Sequence, residues 1–167
     1  MPPPRIRPLT SSDAVVYRDI RLEGLQLDPD AFSSTFEREK AMPLDWFADR
    51  IVNGNVFGVF KGDELLGVAG YWRREGAKES HKAGLWGMYV RKAARGSGLG
   101  QRLIEAVTDH AKGHVELLQL SVASDNEAAI QLYHKAGFSE YGREIRALKD
   151  GNRYFDEILM VRFLARD

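Results

Sequence analysis

A glycine-rich turn is the segment of this chain best suited to chemistry. It reads Arg95-Gly96-Ser97-Gly98-Leu99-Gly100, follows the apolar residues 88–90 and leads directly into a helically spaced apolar pattern. Backbone N–H groups at a helix start converge on one position, and the helix dipole and the small glycines favour the close approach of an anion. Cationic side chains surround the turn: Arg91, Lys92, Arg95 and Arg102. The pattern predicts a site for a pyrophosphate.

Two other phosphate-binding patterns fit this turn less well. A dinucleotide fingerprint needs G-x-G-x-x-G in a first βαβ unit, whereas the glycines here stand at 96, 98 and 100 and follow a predicted strand meander. The phosphate loop of NTPases ends in Gly-Lys-Ser/Thr, which this turn lacks. A purely structural turn with incidental glycines is the third alternative.

A second segment has an equally defined spacing. Asn126, Tyr133, Gly137 and Phe138 follow the pattern N-x(6)-Y-x(3)-G-F, while residues 95–100 follow Q/R-x-x-G-x-G/A. These are the two signatures of the GNAT N-acetyltransferase superfamily, which the chain resembles. The order of helices and strands predicted below is also that of the family, so the resemblance spans nearly the whole chain.

The resemblance implies a cofactor site for acetyl-CoA at these segments. In the family, N–H groups of the turn bind the pyrophosphate, the preceding strand pairs its backbone with the pantetheine and the acetyl carbonyl, and the asparagine bonds the pantetheine arm. By this likeness the cofactor-binding residues are Met88, Tyr89, Val90, Arg95, Gly96, Ser97, Gly98, Leu99, Gly100, Gln101, Asn126, Tyr133 and Lys135.

The resemblance also makes Tyr133 the catalytic acid beside the cofactor sulfur. Aminolysis of a thioester expels a thiolate, and a phenol with a pKa of about 10 can protonate it while staying neutral at physiological pH. Structural alternatives stay open at three positions. Tyr133 also suits a core, Asn126 a helix N-cap and Lys135 a solvated surface.

The catalytic base is less well defined. Many family members carry a carboxylate on the strand before the turn, but residues 82–91 contain neither Asp nor Glu. We predict Glu37 and Glu39 as replacements, although each is also compatible with an ordinary surface carboxylate. Asp156 and Glu157 are further options. The acceptor pocket is expected to draw on Phe32, Phe36, Trp72, Tyr89, Asn152 and Tyr154.

Periodicity predicts the elements that position these residues. Helices are expected from a cap at residues 11–13 to residue 27, from 43 to 53, and over 99–111 and 127–136. Strands are expected over 6–9, 56–60, 65–72, 83–91, 115–122, 138–148 and 153–163. Residues 28–42 read as a loop. The apolar run 115–122 predicts a strand that helices cover on both faces.

These elements, in the order β-α-α-β-β-β-α-β-α-β-β, predict an α/β (α+β) fold, and the resemblance implies that it is of the GNAT type. Its sheet is mixed, mostly antiparallel and seven-stranded, with helices on both faces. We expect one N-acetyltransferase domain over residues 1–167, with residues 1–4 as a flexible lead.

Composition excludes several function classes. Lys plus Arg and Asp plus Glu both number 24, so the net charge is zero, which argues against a nucleic-acid partner. The absence of cysteine excludes disulfides, thiolate zinc sites and Cys nucleophiles. His110 and His114 have no evident third ligand, so no metal is expected. Without a signal-like or membrane-spanning apolar run, a cytoplasmic protein with no membrane partner is predicted.

The sequence therefore predicts an enzyme that transfers an acetyl group from acetyl-CoA to a primary amine of a small molecule or peptide. The amine would attack directly in a ternary complex, and a homodimer would be common for the family. Two alternatives stay open. One is a catalytically inactive acyl-CoA-binding sensor, and the other is a nucleotide-binding protein that uses the same turn.

Overall fold

The computed structural model describes residues 2–165, so Met1 of the expected lead and residues 166–167 of the expected domain lie outside the described residues. Seven strands form one sheet in the order β1-β2-β3-β4-β5-β7-β6. The strands are β1 (Arg5–Pro8), β2 (Phe57–Lys61), β3 (Glu64–Arg73), β4 (Lys82–Val90), β5 (Leu117–Ala123), β6 (Ser139–Asp150) and β7 (Arg153–Phe163). Among these described strands, β4 and β5 are the one pair that runs parallel. The predicted fold class is confirmed.

In the part of the chain that the structure describes, five α-helices flank the sheet. They are α1 (Ala14–Leu27), α2 (Phe36–Lys40), α3 (Leu44–Asn53), α4 (Leu99–Ala111) and α5 (Glu127–Lys135). The prediction of an unbroken loop over residues 28–42 was wrong, because this segment contains a 3-10 turn at Pro29–Ala31 and the short α2. The Thr35 hydroxyl caps α2 by accepting from the Arg38 N–H at 3.2 Å. A five-residue helix is too short to leave a periodic apolar pattern.

The two faces of the sheet bury different clusters. Because successive strand residues alternate between faces, Val68 and its neighbour Ala69 belong to opposite cores. One core packs on α1 and α3 and includes Tyr17, Ile20, Phe47 and Ile51. The other packs on α4 and α5 and includes Leu103, Ile104, Val107 and Tyr133. The prediction of helices on both faces is therefore confirmed.

Strand β5 differs from its prediction in one respect. It begins at Leu117, and Ser121 on one of its faces is exposed, whereas Leu118, Leu120 and Val122 on the other face are buried. The expectation that helices cover both faces of β5 was wrong, because α1 and α3 contribute to a core on the other half of the sheet.

The sheet opens between its two parallel strands. β4 and β5 pair only from Lys82 opposite Leu117 to Gly84 opposite Gln119. Beyond that point β4 continues along β3, and β5 continues along β7 as far as Ala123. The two facing strand edges therefore run on without a strand partner. Backbone N–H and C=O groups in such an opening need hydrogen-bond partners from water or a ligand.

Within residues 2–165, no helix combines the length and the apolar character that crossing a membrane requires.

Candidate active site

A cleft of about 830 Å³ lies at the opening between β4 and β5. Residues from four separate segments line it, including the 27–31 segment that follows α1. Most of the predicted cofactor-binding residues line this cleft. The residues that line it are Met88, Tyr89, Val90, Arg95, Gly96, Gly98, Leu99, Gly100, Gln101, Asn126 and Lys135. Ser97 and Tyr133 are the two that do not line it.

The glycine-rich turn presents its backbone to this cleft. Gly96 and Gly98 have φ angles of 82° and 81°, a left-handed conformation that side chains rarely tolerate. At both positions a Cβ would find no atom within 4 Å, so the space beside the turn is open. Gly98 is also the N-cap residue of α4. The backbone amides at the start of α4 therefore face open space, which is the geometry that an anion site requires.

Two other residues of the turn support its shape. The Ser97 hydroxyl donates to the Ala94 carbonyl at 2.7 Å, which explains why its side chain is turned away from the cleft. Gly100 allows α4 to approach its neighbours closely, since a Cβ there would lie 3.2 Å from Met88 Cε and 3.4 Å from Leu132 Cδ2. Ser97 therefore closes the turn, and Gly100 lets α4 pack beside β4 and α5.

The edge of β4 is held by a carboxylate from α1. β4 has one extra residue relative to β3, because Val68 pairs with Tyr89 while Gly70 pairs with Trp86. The Tyr89 hydroxyl donates to Glu23 Oε2 at 2.8 Å, and Glu23 also forms an ion pair with Arg91. Burial and the Glu23 carboxylate raise the pKa of Tyr89 to about 12. Tyr89 therefore serves to position β4.

Two of the four cationic side chains around the turn already have partners within the protein. Arg91 is paired with Glu23, and Arg95 forms a 2.6 Å ion pair with Asp28 while donating to the Val90 carbonyl at 2.9 Å. No local signal identifies these carboxylates, because α1 and the turn are far apart in sequence. These two arginines are already engaged within the protein.

The second signature places two side chains at the beginning and end of α5. Asn126 Oδ1 accepts from the Ala129 N–H at 3.2 Å, so it is the helix N-cap that the structural alternative described, while the residue also lines the cleft. Tyr133 is 9% exposed and packs edge-to-face on Phe138, with 6.0 Å between ring centroids. Burial raises the pKa of Tyr133 to about 12.

The Tyr133 hydroxyl has no hydrogen-bond partner among the described residues. Its oxygen nevertheless keeps a small solvent-accessible area. A buried phenol normally finds such a partner. The hydroxyl is therefore not committed to another group of the described residues, although Tyr133 does not line the cleft.

Comparison with known proteins identifies the family. The model of the Acetyltransferase (GNAT) family matches residues 22–138, most of the chain. The chain belongs to the GNAT family. The predicted family, the acetyl-CoA cofactor and the transfer of an acetyl group to an amine are thereby confirmed.

Individual relatives agree with this assignment. The N-alpha-acetyltransferase RimI of Mycobacterium tuberculosis is 30% identical over 84% of this chain and 81% of its own length. The L-methionine sulfoximine/L-methionine sulfone acetyltransferase of Pseudomonas aeruginosa is 29% identical over 78% of this chain and 81% of its own length. The solved structure of yncA from Salmonella typhimurium with its cofactor acetyl-CoA has a TM-score of 0.82 at 21% identity, covering 99% of this chain and 96% of that one. At 21% identity, this last likeness shows that the two proteins share a fold.

The two carboxylates predicted as the base of this GNAT enzyme have other partners. Glu39 is 1% exposed, and both of its oxygens accept from the Arg21 guanidinium, at 2.9 and 2.8 Å. Burial alone would raise the pKa of Glu39, but the bonds and charge of Arg21 hold it below its ordinary value. Glu37 is exposed and pairs with Lys40 at 2.5 Å. Neither glutamate lines the cleft.

The last strand of the GNAT sheet carries another carboxylate. Glu157 lies opposite Ala123, the cleft-lining residue at the end of β5, although Glu157 itself does not line the cleft. Burial, with a smaller contribution from the Glu144 carboxylate, raises the pKa of the Glu157 carboxyl above its ordinary value. Its neighbour Asp156 is instead occupied by the Arg143 side chain and the Arg146 N–H, both at 2.8 Å.

His110 near the end of α4 and His114 just beyond it are both exposed, and only the His110 ring contacts core residues. His110 Nδ1 and the Tyr71 hydroxyl share a hydrogen bond of 2.7 Å, and the His110 and His114 rings stack with 4.8 Å between centroids. Across the described residues, His, Asp and Glu side chains nowhere group in threes suited to a metal ion.

Proposed function

We propose that the cleft binds acetyl-CoA with its pyrophosphate on the amides of residues 96–101 and its pantetheine in the β4–β5 opening. The observation that carries this proposal is the separation of the two strands after Gly84 and Gln119. It exposes unpaired backbone edges to a cleft of about 830 Å³, within the usual range of ligand pockets. Acetyl-CoA supplies the activated thioester, and the acceptor amine attacks it directly in a ternary complex.

Tyr133 is the proposed acid in this reaction. Its hydroxyl donates a proton to the departing CoA thiolate when the carbon–sulfur bond breaks. A pKa near 12 keeps Tyr133 protonated throughout the neutral range, so the donor form is always present. The lack of a competing hydrogen bond leaves that proton free for transfer.

Glu157, rather than Glu37 or Glu39, is the proposed base. It accepts the proton that the amine must lose, either directly or through one water molecule. A raised pKa makes its carboxylate a stronger base than an ordinary glutamate, and its place opposite Ala123 sets it one strand away from the opening, within reach of one water molecule. Glu39 is unsuited to this role because the Arg21 guanidinium occupies both of its oxygens.

The proposed acceptor is a primary amine on a small molecule or a peptide. This range is supported by the relatives, of which one is named an N-alpha-acetyltransferase and another is named for L-methionine sulfoximine and L-methionine sulfone. The cytoplasmic location and the homodimer stay predictions from the sequence.

Release of free CoA thiol with a library of primary amines tests the proposed reaction. At least one amine is expected to give thiol release that depends on both substrates. Tight binding of acetyl-CoA without thiol release from any amine would favour the sensor alternative. Calorimetric titrations that show ATP binding more tightly than acetyl-CoA would favour the nucleotide-binding alternative.

The glycine-rich turn can be tested with Gly98→Ala. A left-handed conformation costs a non-glycine residue about 1–2 kcal/mol. The turn of the unliganded variant should therefore adopt another backbone conformation, and binding of acetyl-CoA should have to supply the free energy that returns it to the left-handed one. We expect the Kd for acetyl-CoA, measured by calorimetry, to rise roughly tenfold. Gly62→Ala is the matched control, since Gly62 has a φ of 61° and equally open surroundings in the turn after β2. Equal Kd values for the two variants would argue against the loop assignment.

The base can be tested through the pH dependence of kcat/KM. Because Glu157 acts as a base only when ionised, kcat/KM should fall as pH drops through a pKa above 4.5, the ordinary glutamate value. Glu157→Gln should lower kcat/KM about 100-fold and remove this acidic limb. Glu144→Gln is the control and should keep the limb but move it to lower pH, because it removes the like charge that raises the pKa of Glu157. An unchanged acidic limb in Glu157→Gln would exclude Glu157 as the base.

A further inference from the structure

Arg50 on α3 is surrounded by all three tryptophans of the chain. Its guanidinium carbon lies 4.6 Å from the ring centroid of Trp46, 4.9 Å from that of Trp86 and 5.8 Å from that of Trp72. The rings of Trp72 and Trp86 are 5.7 Å apart. These four residues, the Arg50 cluster, bring together a cation and large apolar surfaces from α3, β3 and β4.

The Arg50 guanidinium lacks an anionic partner. Its Nε is buried without any hydrogen bond, and no carboxylate among residues 2–165 lies within ion-pair distance of it. Glu39, whose charge acts on Arg50, has both oxygens committed to Arg21. Aromatic faces attract a cation but do not replace an anion. A half-buried, unpaired guanidinium gains strongly from binding a carboxylate, which it can hold through two parallel hydrogen bonds.

The cluster is also held rigidly. The Trp86 indole N–H donates to the Gly54 carbonyl at 3.0 Å, and a Cβ on Gly54 would lie only 2.3 Å from the Trp86 ring. The Arg21 guanidinium covers another part of the same ring at 5.6 Å. Since the Trp86 ring cannot move far, a ligand would bind a preformed surface, and little conformational entropy of the protein would be lost on binding.

The position of Trp86 links the cluster to the cleft. Trp86 precedes the cleft-lining Met88 by two residues, or about 7 Å along β4. It lies with the α1 and α3 core, on the side of the sheet where β5 is exposed at Ser121. A small molecule anchored at Arg50 can therefore extend an amine along β4 toward the opening.

We propose that Arg50 binds the carboxylate of the acetyl acceptor, so that the acceptor is an aminocarboxylate whose apolar chain packs on the tryptophans and separates the carboxylate from the amine by enough bonds to reach the opening. This inference rests on the proposed function and narrows its range of amines. A lysine side chain within a folded protein, which has no carboxylate of its own, would lack this anchor.

Kinetics with matched acceptors test the proposal. The probes are 5-aminopentanoate and 6-aminohexanoate, each compared with its own carboxamide. Arg50→Gln should raise the KM for the carboxylate probes about 10- to 100-fold, as expected for the loss of a charge-assisted hydrogen bond, and should leave the KM for the carboxamides unchanged. Arg50→Lys, which keeps the charge, should restore part of the preference. Arg5→Gln, on the exposed edge strand β1, should match the wild type.

Intrinsic fluorescence provides a readout that needs no catalysis. Because every tryptophan of the chain lies in the cluster, titration with the carboxylate probes should change the emission, whereas the carboxamides and the Arg50→Gln variant should give no change. Equal binding and equal KM for carboxylates and carboxamides would overturn the inference while leaving acetyl transfer intact. If no amine yields free CoA thiol, the proposed function fails, and the titration still decides whether Arg50 binds carboxylates.

Discussion

Replacing Tyr133 with phenylalanine is expected to lower kcat about 100-fold or more, because a positioned general acid typically contributes roughly 10²- to 10⁴-fold. The change removes only a hydroxyl that has no partner among the described residues, and the ring keeps its edge-to-face contact with Phe138 at 6.0 Å. Fold and cofactor site should therefore persist. Steady-state release of CoA thiol measures kcat, and calorimetry should give a Kd for acetyl-CoA close to that of the wild type.

Tyr17→Phe is the matched control for this experiment. Tyr17 is likewise buried, its pKa is likewise raised by burial to about 12, and it packs edge-to-face on Phe47, but it lies in the opposite core. Its kcat should equal that of the wild type. If Tyr133→Phe also retained the wild-type kcat, Tyr133 would have no role as the acid. A large rise in the Kd for acetyl-CoA would instead give its hydroxyl a binding role.

The parts of the site that sequence could predict depend on local backbone geometry. The glycines at 96 and 98 signal positive φ angles, and the structure has both residues in that conformation. Asn126 signals a helix start, and the first turn of α5 uses it in that way. In each case the residue type and its immediate neighbours determine the conformation, so that no knowledge of the tertiary fold is needed.

The parts that sequence could not predict depend on partners that are distant in the chain. Glu37 and Glu39 look alike in sequence, yet only Glu39 faces the buried Arg21, because α2 packs on α1. Nothing near Arg50 in the sequence indicates that Trp72 and Trp86 will cover its guanidinium. Such contacts arise only when helices and strands assemble, which is why the choice between two neighbouring carboxylates required the fold.

Glu39→Gln is expected to destabilise the protein by about 3–5 kcal/mol, because removing one member of a buried ion pair leaves the other charge uncompensated. Chemical denaturation measures this loss, and Glu37→Gln, in the same helix but exposed, should change stability by less than about 0.5 kcal/mol. Since folding lowers the pKa of Glu39 below 4.5, its stabilising effect is present above that pH and is lost as pH falls through the folded-state pKa. The stability gap between the wild type and Glu39→Gln should therefore narrow in acid. Unchanged stability together with a large fall in kcat would mean that Glu39 serves catalysis after all.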